Sequence, residues 1–413
     1  MDFVKIYPQD NVAVALRDVG AGERVSVDGG SLTALENISN GHKIALAPIP
    51  RGGDVIKYAN RIGLATSDIP AGAYVHDHNV QTMANVRRSY AYDRDGGALL
   101  PGKTEETFQG YRRAGGGAGI RNYLAVIPTV FCANGPLQKI ARLAEVEFPA
   151  NEQFDGVLPL THPYGCSQTG SDLATTAKTL AGVIRSANFG GVLVVSLGCE
   201  MNDLPTLKKY MGPVDERRVK FLVLQESDDE FAEGLALCRE LMEEISQDRR
   251  EPVNLKELHV AVNCGGSDGF SGITANKLVG TLTEELVRRG ATVNMTEVPE
   301  MFGAEHLLMN RAVNDQVFKD EVAMIAAYAD YFERYGEQVS DNPTQGNKAG
   351  GLSTIEEKSL GCIQKGGRCA VTEVLPYGGR ATQNGLVLVS GPGNDLTGVT
   401  GQIAAGAVSG LIP

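Results

Sequence analysis

Apolar runs and polar loops alternate along this chain in two rhythms. Up to about residue 85 the runs are short and broken by glycine and proline: Asn11–Ala15, Lys43–Leu46, Asp54–Tyr58 and Ala73–His76. Turn signals recur every 8 to 12 residues, the spacing of an all-β module. Residues 86–108 are polar and rich in Arg, Asp and Gly (Arg87-Arg88, Asp93-Arg94-Asp95-Gly96-Gly97) and read as a linker. From Gly110 onward the rhythm changes. Buried-strand runs at Tyr123–Val130, Gly156–Leu160 and Gly191–Leu197 alternate with helical spacing at Leu137–Glu147, Asp172–Asn188 and Glu230–Gln247. Arg249-Arg250-Glu251-Pro252 ends the last helix and separates off a second unit. That unit predicts a strand at Leu258–Val262, a helix over Lys277–Arg289, a strand at Thr292–Thr296 and a helix over Asp315–Tyr335. A glycine-rich loop, Gly346–Gly351, a helix over Thr354–Cys362 and a strand at Leu386–Val389 follow. Alternating β and α elements imply mostly parallel sheets. The predicted fold class is α/β: a small β domain (1–85), a linker (86–108), and two Rossmann-like α/β units (109–250 and 251–413).

Four strand-like runs lead straight into a cysteine: Cys132, Cys166, Cys199 and Cys264. The last opens the loop Asn263–Gly272, which holds a thiol, a carboxylate, two hydroxyls and four glycines. Glycines at that density let the backbone approach a small polar ligand closely. Loops after strands are where open α/β sheets bind ligands. If the strands are parallel, the four sulfurs converge on one edge. The plain alternative is a set of buried, inert cysteines, which behave as small hydrophobes.

Composition narrows the classes. The net charge of −12, with no long Lys/Arg cluster, argues against nucleic acid or an anionic membrane as partner. No run of apolar residues is long enough to span a bilayer, and Met1–Lys5 opens no secretory signal. Seven cysteines, none in a CxxC pair, suit reduced thiols in the cytoplasm and fit neither a disulfide framework nor a zinc finger.

Longer motifs carry more. In order they are Asp10–Leu16, Gly41-His42-Lys43 and Val75-His76-Asp77-His78-Asn79 in the first module, then Tyr111-Arg112-Arg113 with Gly119-Ile120-Arg121-Asn122. Tyr164-Gly165-Cys166-Ser167, Leu197-Gly198-Cys199-Glu200 and Cys264-Gly265-Gly266-Ser267-Asp268 follow, then Thr296–Glu305, Gly346–Gly351 and Glu357–Cys362. Along essentially its whole length the chain resembles the altronate and galactarate dehydratases, and the altronate branch fits better, on Pro299–Glu305, Cys362 and the His-x-His at 76 and 78. There are two departures. The family's Thr-Ala-Asn-Pro reads Thr274-Ala275-Asn276-Lys277 here, a replacement a helix start tolerates. The family also continues past Gly391–Asp395 through a Thr-Gly-Arg-Gly-Thr-Pro loop, so that C-terminal segment is expected to be absent from a chain ending at Pro413.

The resemblance implies a SAF domain (β-clip-like) at the head and removal of water from D-altronate to give 2-dehydro-3-deoxy-D-gluconate, with Fe²⁺ or Mn²⁺. Chemically, the C2 proton beside a carboxylate is barely acidic. A divalent ion can hold the enediolate, a base must take the proton, and an acid must help the C3 hydroxyl leave. Candidate metal ligands are His76, His78, Cys132, Cys166, Cys199 and Cys264. His76 and His78 share a face if extended, or lie on a polar surface turn; His42 is a weaker candidate. His162, Glu200 and Lys348 are the candidate acids and bases. Arg121, Asn122, Ser267, Asp268, Asn394 and Asp395 are the candidates for binding the substrate's carboxylate and hydroxyls, arginine because its planar fork matches a carboxylate. An iron–sulfur cluster on the strand-end thiols is the alternative to a mononuclear ion. The expected partner is a small sugar acid, with self-association into a homo-oligomer left open. Rival readings are galactarate dehydratase, a sulfolactate sulfo-lyase that expels sulfite, and a non-catalytic sugar-acid-binding protein.

Overall fold

A computed structural model describes residues 1–84 and 89–412. The first module is built of hairpins. Six short strands form one sheet (Phe3–Val4, Val12–Ala15, Arg24–Val27, Gly30–Thr33, Lys43–Ala45 and Tyr74–Val75), and Asp54–Lys57, Asn60–Ala65 and Val80–Gln81 form a second. Asp28-Gly29 turns one hairpin with both residues at positive φ, the signature of a tight two-residue turn. The hairpin at Lys57–Asn60 has the same shape without glycine: Tyr58 (φ 60°) and Ala59 (φ 57°) are both left-handed. Asp10 holds this turn by accepting from the Ala59 N–H at 2.7 Å. Local strain of this kind persists only where the surroundings over-determine it. Here it drives Lys57 and Tyr58 into the rest of the protein: both are buried, and the Tyr58 hydroxyl packs against Gly272.

The first α/β unit is a four-stranded parallel sheet in the order Gly156–Pro159, Tyr123–Pro128, Phe189–Ser196, Val219–Val223. Alternation along the central strand explains its layers. Leu124 and Val126 pack with the helices Asn134–Glu147 and Glu230–Ile245, while Ala125 and Ile127 pack with Gly170–Ile184 and Leu204–Met211. The second unit is a five-stranded parallel sheet, ordered Val371–Leu375, Gly385–Val389, Thr292–Met295, His259–Val262, Ser409–Leu411. The mostly parallel α/β class holds. Among the described residues no helix is long and apolar enough to cross a membrane.

Three expectations need correction. Residues 251–254 do not merely end a helix: Glu251–Asn254 pairs antiparallel with Thr107–Arg112, a small sheet between the two units. The expected linker begins outside the described residues, where Arg87 and Arg88 fall, but residues 89–108 are strapped to the second unit. Tyr92 stacks on Phe318 and donates to the Ala312 carbonyl at 2.5 Å, and the Leu99 N–H donates to the Arg368 carbonyl at 2.8 Å. Backbone hydrogen bonds and an aromatic contact outweigh its polar, glycine-rich composition. Finally, Gly346–Gly351 includes a turn of helix, Gln345–Ala349, started by a capping box between Thr344 and Asn347.

The first module has its own sheets and a small core of its own around Phe3, Val25 and Ile44, but its other face is shared with the second unit. Val55, Tyr58 and Ile62 from it share one buried cluster with Val262, Met295 and Leu360 of the second unit.

Candidate active site

The helix Ile355–Cys362 joins the module to the second unit. Thr354 caps it, accepting from the Glu357 N–H, and all eight residues are buried, charged ones included. Glu356 accepts from the Thr82 hydroxyl at 2.7 Å and the Met83 N–H at 2.6 Å. Glu357 lies between two lysines of the module, Lys57 at 2.7 Å and Lys43 at 2.9 Å. Lys358 points the other way and pairs with Glu300 at 2.8 Å.

Beneath Lys358 lies a buried reactive cluster. Cys264 follows the strand His259–Val262, and Glu297 and Glu300 follow the neighbouring Thr292–Met295. One ligand atom from each of Cys264, Glu297 and Glu300 lies within 4.8 Å of the others. Glu297 is left-handed (φ 72°, ψ 57°), a conformation that costs free energy in a residue with a Cβ and tends to mark functional sites. Its carboxylate accepts from the Cys264 N–H at 2.7 Å. Lys365, fully buried, faces both: its ammonium lies 3.0 Å from the Cys362 sulfur and 3.7 Å from Glu297. Ser267 stands 3.0 Å from the Cys264 sulfur.

Electrostatics separates the two carboxylates. Burial, and then the Glu300 charge, push Glu297 up to about 7. Burial also acts on Glu300, but Lys358 and Lys365 outweigh it and hold this carboxyl below its ordinary value. Burial raises both the Cys264 and the Cys362 thiols. Two carboxyls with values driven apart are how one site supplies an ionised group and a proton carrier together.

Three glycines from three loops, Gly41, Gly269 and Gly350, meet where the module joins the second unit. The Gly269 N–H donates to the Gly350 carbonyl at 2.7 Å, and a Cβ on Gly269 would run into the Gly41 carbonyl oxygen. Gly269→Ala is therefore expected to cost about 1–3 kcal/mol by overpacking and to lower turnover by loosening the module. Gly266→Ala, where a Cβ meets nothing within 4 Å, is the control. Equal thermal midpoints for the two variants would remove the junction from the argument.

Sequence comparison places this geometry. Residues 1–83 match the altronate/galactarate dehydratase SAF domain, 110–246 the D-galactarate dehydratase/altronate hydrolase second domain, and 255–411 the D-galactarate/altronate dehydratase C-terminal domain. The altronate dehydratase of Bacillus subtilis (strain 168) is 45% identical over 404 residues, covering 98% of this chain and 81% of the relative. The chain belongs to the altronate/galactarate dehydratase family. The altronate dehydratase of Escherichia coli (strain K12) is 42% identical, covering 98% of this chain and 82% of the relative. The galactarate dehydratase (L-threo-forming) of the same strain is 36% identical, covering 98% and 80%. As a member of this family the chain is a hydro-lyase.

Against this dehydratase framework the four strand-end cysteines divide. Cys264 belongs to the buried cluster, whereas Cys132, Cys166 and Cys199 are exposed on loops of the first unit. Beside them, His162 and Glu200 are engaged in holding the loops. His162 donates from Nε2 to the Pro128 carbonyl at 2.8 Å and accepts at Nδ1 from the Tyr164 N–H at 3.2 Å. Glu200 accepts from the Ser196 hydroxyl, the Leu197 and Gly198 N–H groups and the Thr129 hydroxyl. Arg121 and Asn122 precede their strand instead of following it, so they sit at the far edge of the sheet, bound to Asp155.

In the dehydratase's second unit, Asp268 caps its own loop, accepting from the Phe270 and Ser271 N–H groups, each at 2.9 Å. Asn394 caps the helix Asp395–Ala405, and Asp395 accepts from Asn263, beside Cys264, at 2.9 Å. His76 lies 3.2 Å from the Ser353 hydroxyl, and burial with the Lys43 charge lowers it to about 4, so its imidazole is neutral. His78 packs on Tyr74, and Lys348 pairs with Asp77 at 3.4 Å. His76 and His78 of the module and Lys348 of the second unit lie at the junction between them, whereas the cluster's members are Cys264, Glu297 and Glu300. Sequence reasoning passed over Glu297, Glu300, Lys358 and Lys365. The signal for the first was present, since Glu297 follows a parallel strand as Cys264 does.

Proposed function

We propose that this chain removes water from D-altronate, giving 2-dehydro-3-deoxy-D-gluconate, at the cluster formed by Cys264, Glu297, Glu300 and Lys365. The carrying observation is Glu297, a strained, buried carboxyl held near neutrality beside an ionised partner. The identities of 45% and 42% to altronate dehydratases, against 36% to the galactarate enzyme, favour altronate as substrate.

Glu297 takes the C2 proton in its ionised form. The C–H electron pair becomes the C2–C3 double bond, the C3–O bond breaks, and Glu297 returns the proton to the departing hydroxide, which leaves as water. One group can serve as base and then acid because its pKa lies near the working pH. Lys365 stays protonated, its pKa raised by the surrounding thiols and carboxyls against its own burial, and steadies the developing enediolate. The enol product becomes the keto acid by itself.

The donors fit a divalent ion such as Fe²⁺ or Mn²⁺. Cys264 and Glu300 would hold it, leaving Glu297 beside them for the proton: among the described residues the buried Glu300 Oε2 has no hydrogen-bond partner. Two ammonium groups and a divalent ion, set against two carboxylates and a Cys264 thiolate, leave one positive charge for the substrate carboxylate. Bound there, the ion supplies Lewis-acid stabilisation of the enediolate.

The test is turnover of D-altronate, galactarate and sulfolactate after chelation and after Fe²⁺ or Mn²⁺ is restored. D-Altronate should be dehydrated fastest, and only with metal. A preference for galactarate or sulfolactate overturns the substrate assignment, full activity under chelation overturns the metal, and binding without turnover favours a sugar-acid-binding protein.

A further inference from the structure

Three exposed cysteines lie outside the buried cluster, on loops that are tied to one another. Cys132, Cys166 and Cys199 each follow a strand of the first sheet, at its carboxyl edge. The Phe131 N–H donates to the Tyr164 carbonyl at 2.9 Å, the Asn202 N–H to the Gly165 carbonyl at 3.1 Å, and the Asn202 side chain to the Thr129 carbonyl at 2.9 Å. Each cysteine is thus within three residues of a bond joining its loop to another. Glu200, with its four donors, fixes the turn carrying Cys199.

The surroundings restrict what these thiols can hold. The three sulfurs are not all within 4.8 Å of one another, as a single ion would need. The two neighbours that could complete a mononuclear or zinc site, His162 and Glu200, are already engaged by the loops' own hydrogen bonds. Each cysteine instead carries an exposed large apolar neighbour: Phe131 (50% exposed), Tyr164 (55%) and Met201 (44%). Thiols on tied loops at one sheet edge, too far apart to share one ion, suit a polynuclear sulfide cluster, whose several metal atoms span such separations. A second feature also points to an occupant. Asn202 is fully buried in the same loops, and among the described residues its Oδ1 has no hydrogen-bond partner.

We propose that Cys132, Cys166 and Cys199 ligate a cubane iron–sulfur cluster, leaving one iron without a thiolate. Clusters of this kind are ordinarily held by four cysteines, so the fourth iron would be open to water, hydroxide or an oxygen of a bound hydroxy acid. Assembly from equal ferrous and ferric iron with inorganic sulfide balances without a further oxidant, the three thiol protons passing to buffer. The proposal does not rest on the dehydration mechanism at Glu297.

Anaerobic reconstitution of the full chain with those reagents tests it. The readouts are iron and acid-labile sulfide per chain, visible charge-transfer absorbance, and electron paramagnetic resonance after reduction. The wild type and Cys264→Ser should both take up iron and sulfide with a cubane signature. Cys132→Ser, Cys166→Ser and Cys199→Ser should each lose most of the sulfide, while an unchanged circular dichroism spectrum shows that they fold. Iron taken up without sulfide, sulfide retained in all three variants, or loss confined to Cys264→Ser would each overturn the assignment.

Discussion

Glu297→Gln should lower turnover by about 10²- to 10⁴-fold, the range for loss of a positioned acid–base group, with little change in the thermal midpoint. Glutamine keeps the shape and can still accept from the Cys264 N–H, the 2.7 Å bond that anchors the side chain. It cannot carry the proton. The pH dependence separates this from a packing defect. Wild-type kcat/KM should rise with pH as Glu297 loses its proton, and the residual activity of the variant should lack that inflection. Stability supplies the sign check. A carboxyl raised in the folded state binds its proton more tightly there than in the unfolded chain, where the value is about 4.3. Its contribution is complete below that value and is lost as pH rises through about 7. Between these limits the stability difference should move in favour of Glu297→Gln. A variant within a few-fold of wild-type turnover, or one keeping the inflection, would remove Glu297 from the chemistry.

The sequence exposes the elements whose burial pattern is strong and local. Glu230–Ile245, Asp315–Tyr335 and the strands ahead of the cysteines are legible because each shows one period along its length. The centre is less legible, because its chemistry comes from residues brought together only by tertiary packing. Lys358 and Lys365 lie in a short buried segment with charge on several faces, a pattern that reads as surface until the module covers it. Arg121 and Asn122 have residue types suited to a carboxylate, but they precede their strand, and position decides which edge a side chain reaches. The Gly346–Gly351 stretch reads as loop by composition, yet Thr344 and Asn347 start a helical turn there. The linker misleads in the same way, since polar composition says nothing about the surface to which residues 89–108 are bound.

Glu357→Gln is expected to be the most destabilising single change, costing about 3–5 kcal/mol, because it leaves two buried ammonium groups without their counter-charge. The carboxylate is fully buried, bonded to Lys57 at 2.7 Å and Lys43 at 2.9 Å, and it also accepts from the Ser353 N–H at 2.9 Å. Burial alone would raise this carboxyl, but the two lysines hold it near 2. A depressed value stabilises above the unfolded pKa of about 4.3, and that stability is lost as pH falls towards 2. The gap between wild type and Glu357→Gln should therefore be widest near neutrality and should close in acid. Chemical unfolding across that pH range measures it. Because the triad spans the module and the second unit, the variant should also release residues 1–83 to proteolysis sooner than it loses the parallel sheets. Replacing all three charges together, as Lys43→Met, Lys57→Met and Glu357→Leu, should recover much of the loss, since the cost of the single change lies in the unpaired charges and not in the missing bonds. A loss below about 1 kcal/mol for Glu357→Gln, or a gap that widens in acid, would show that the module docks through its apolar contacts alone.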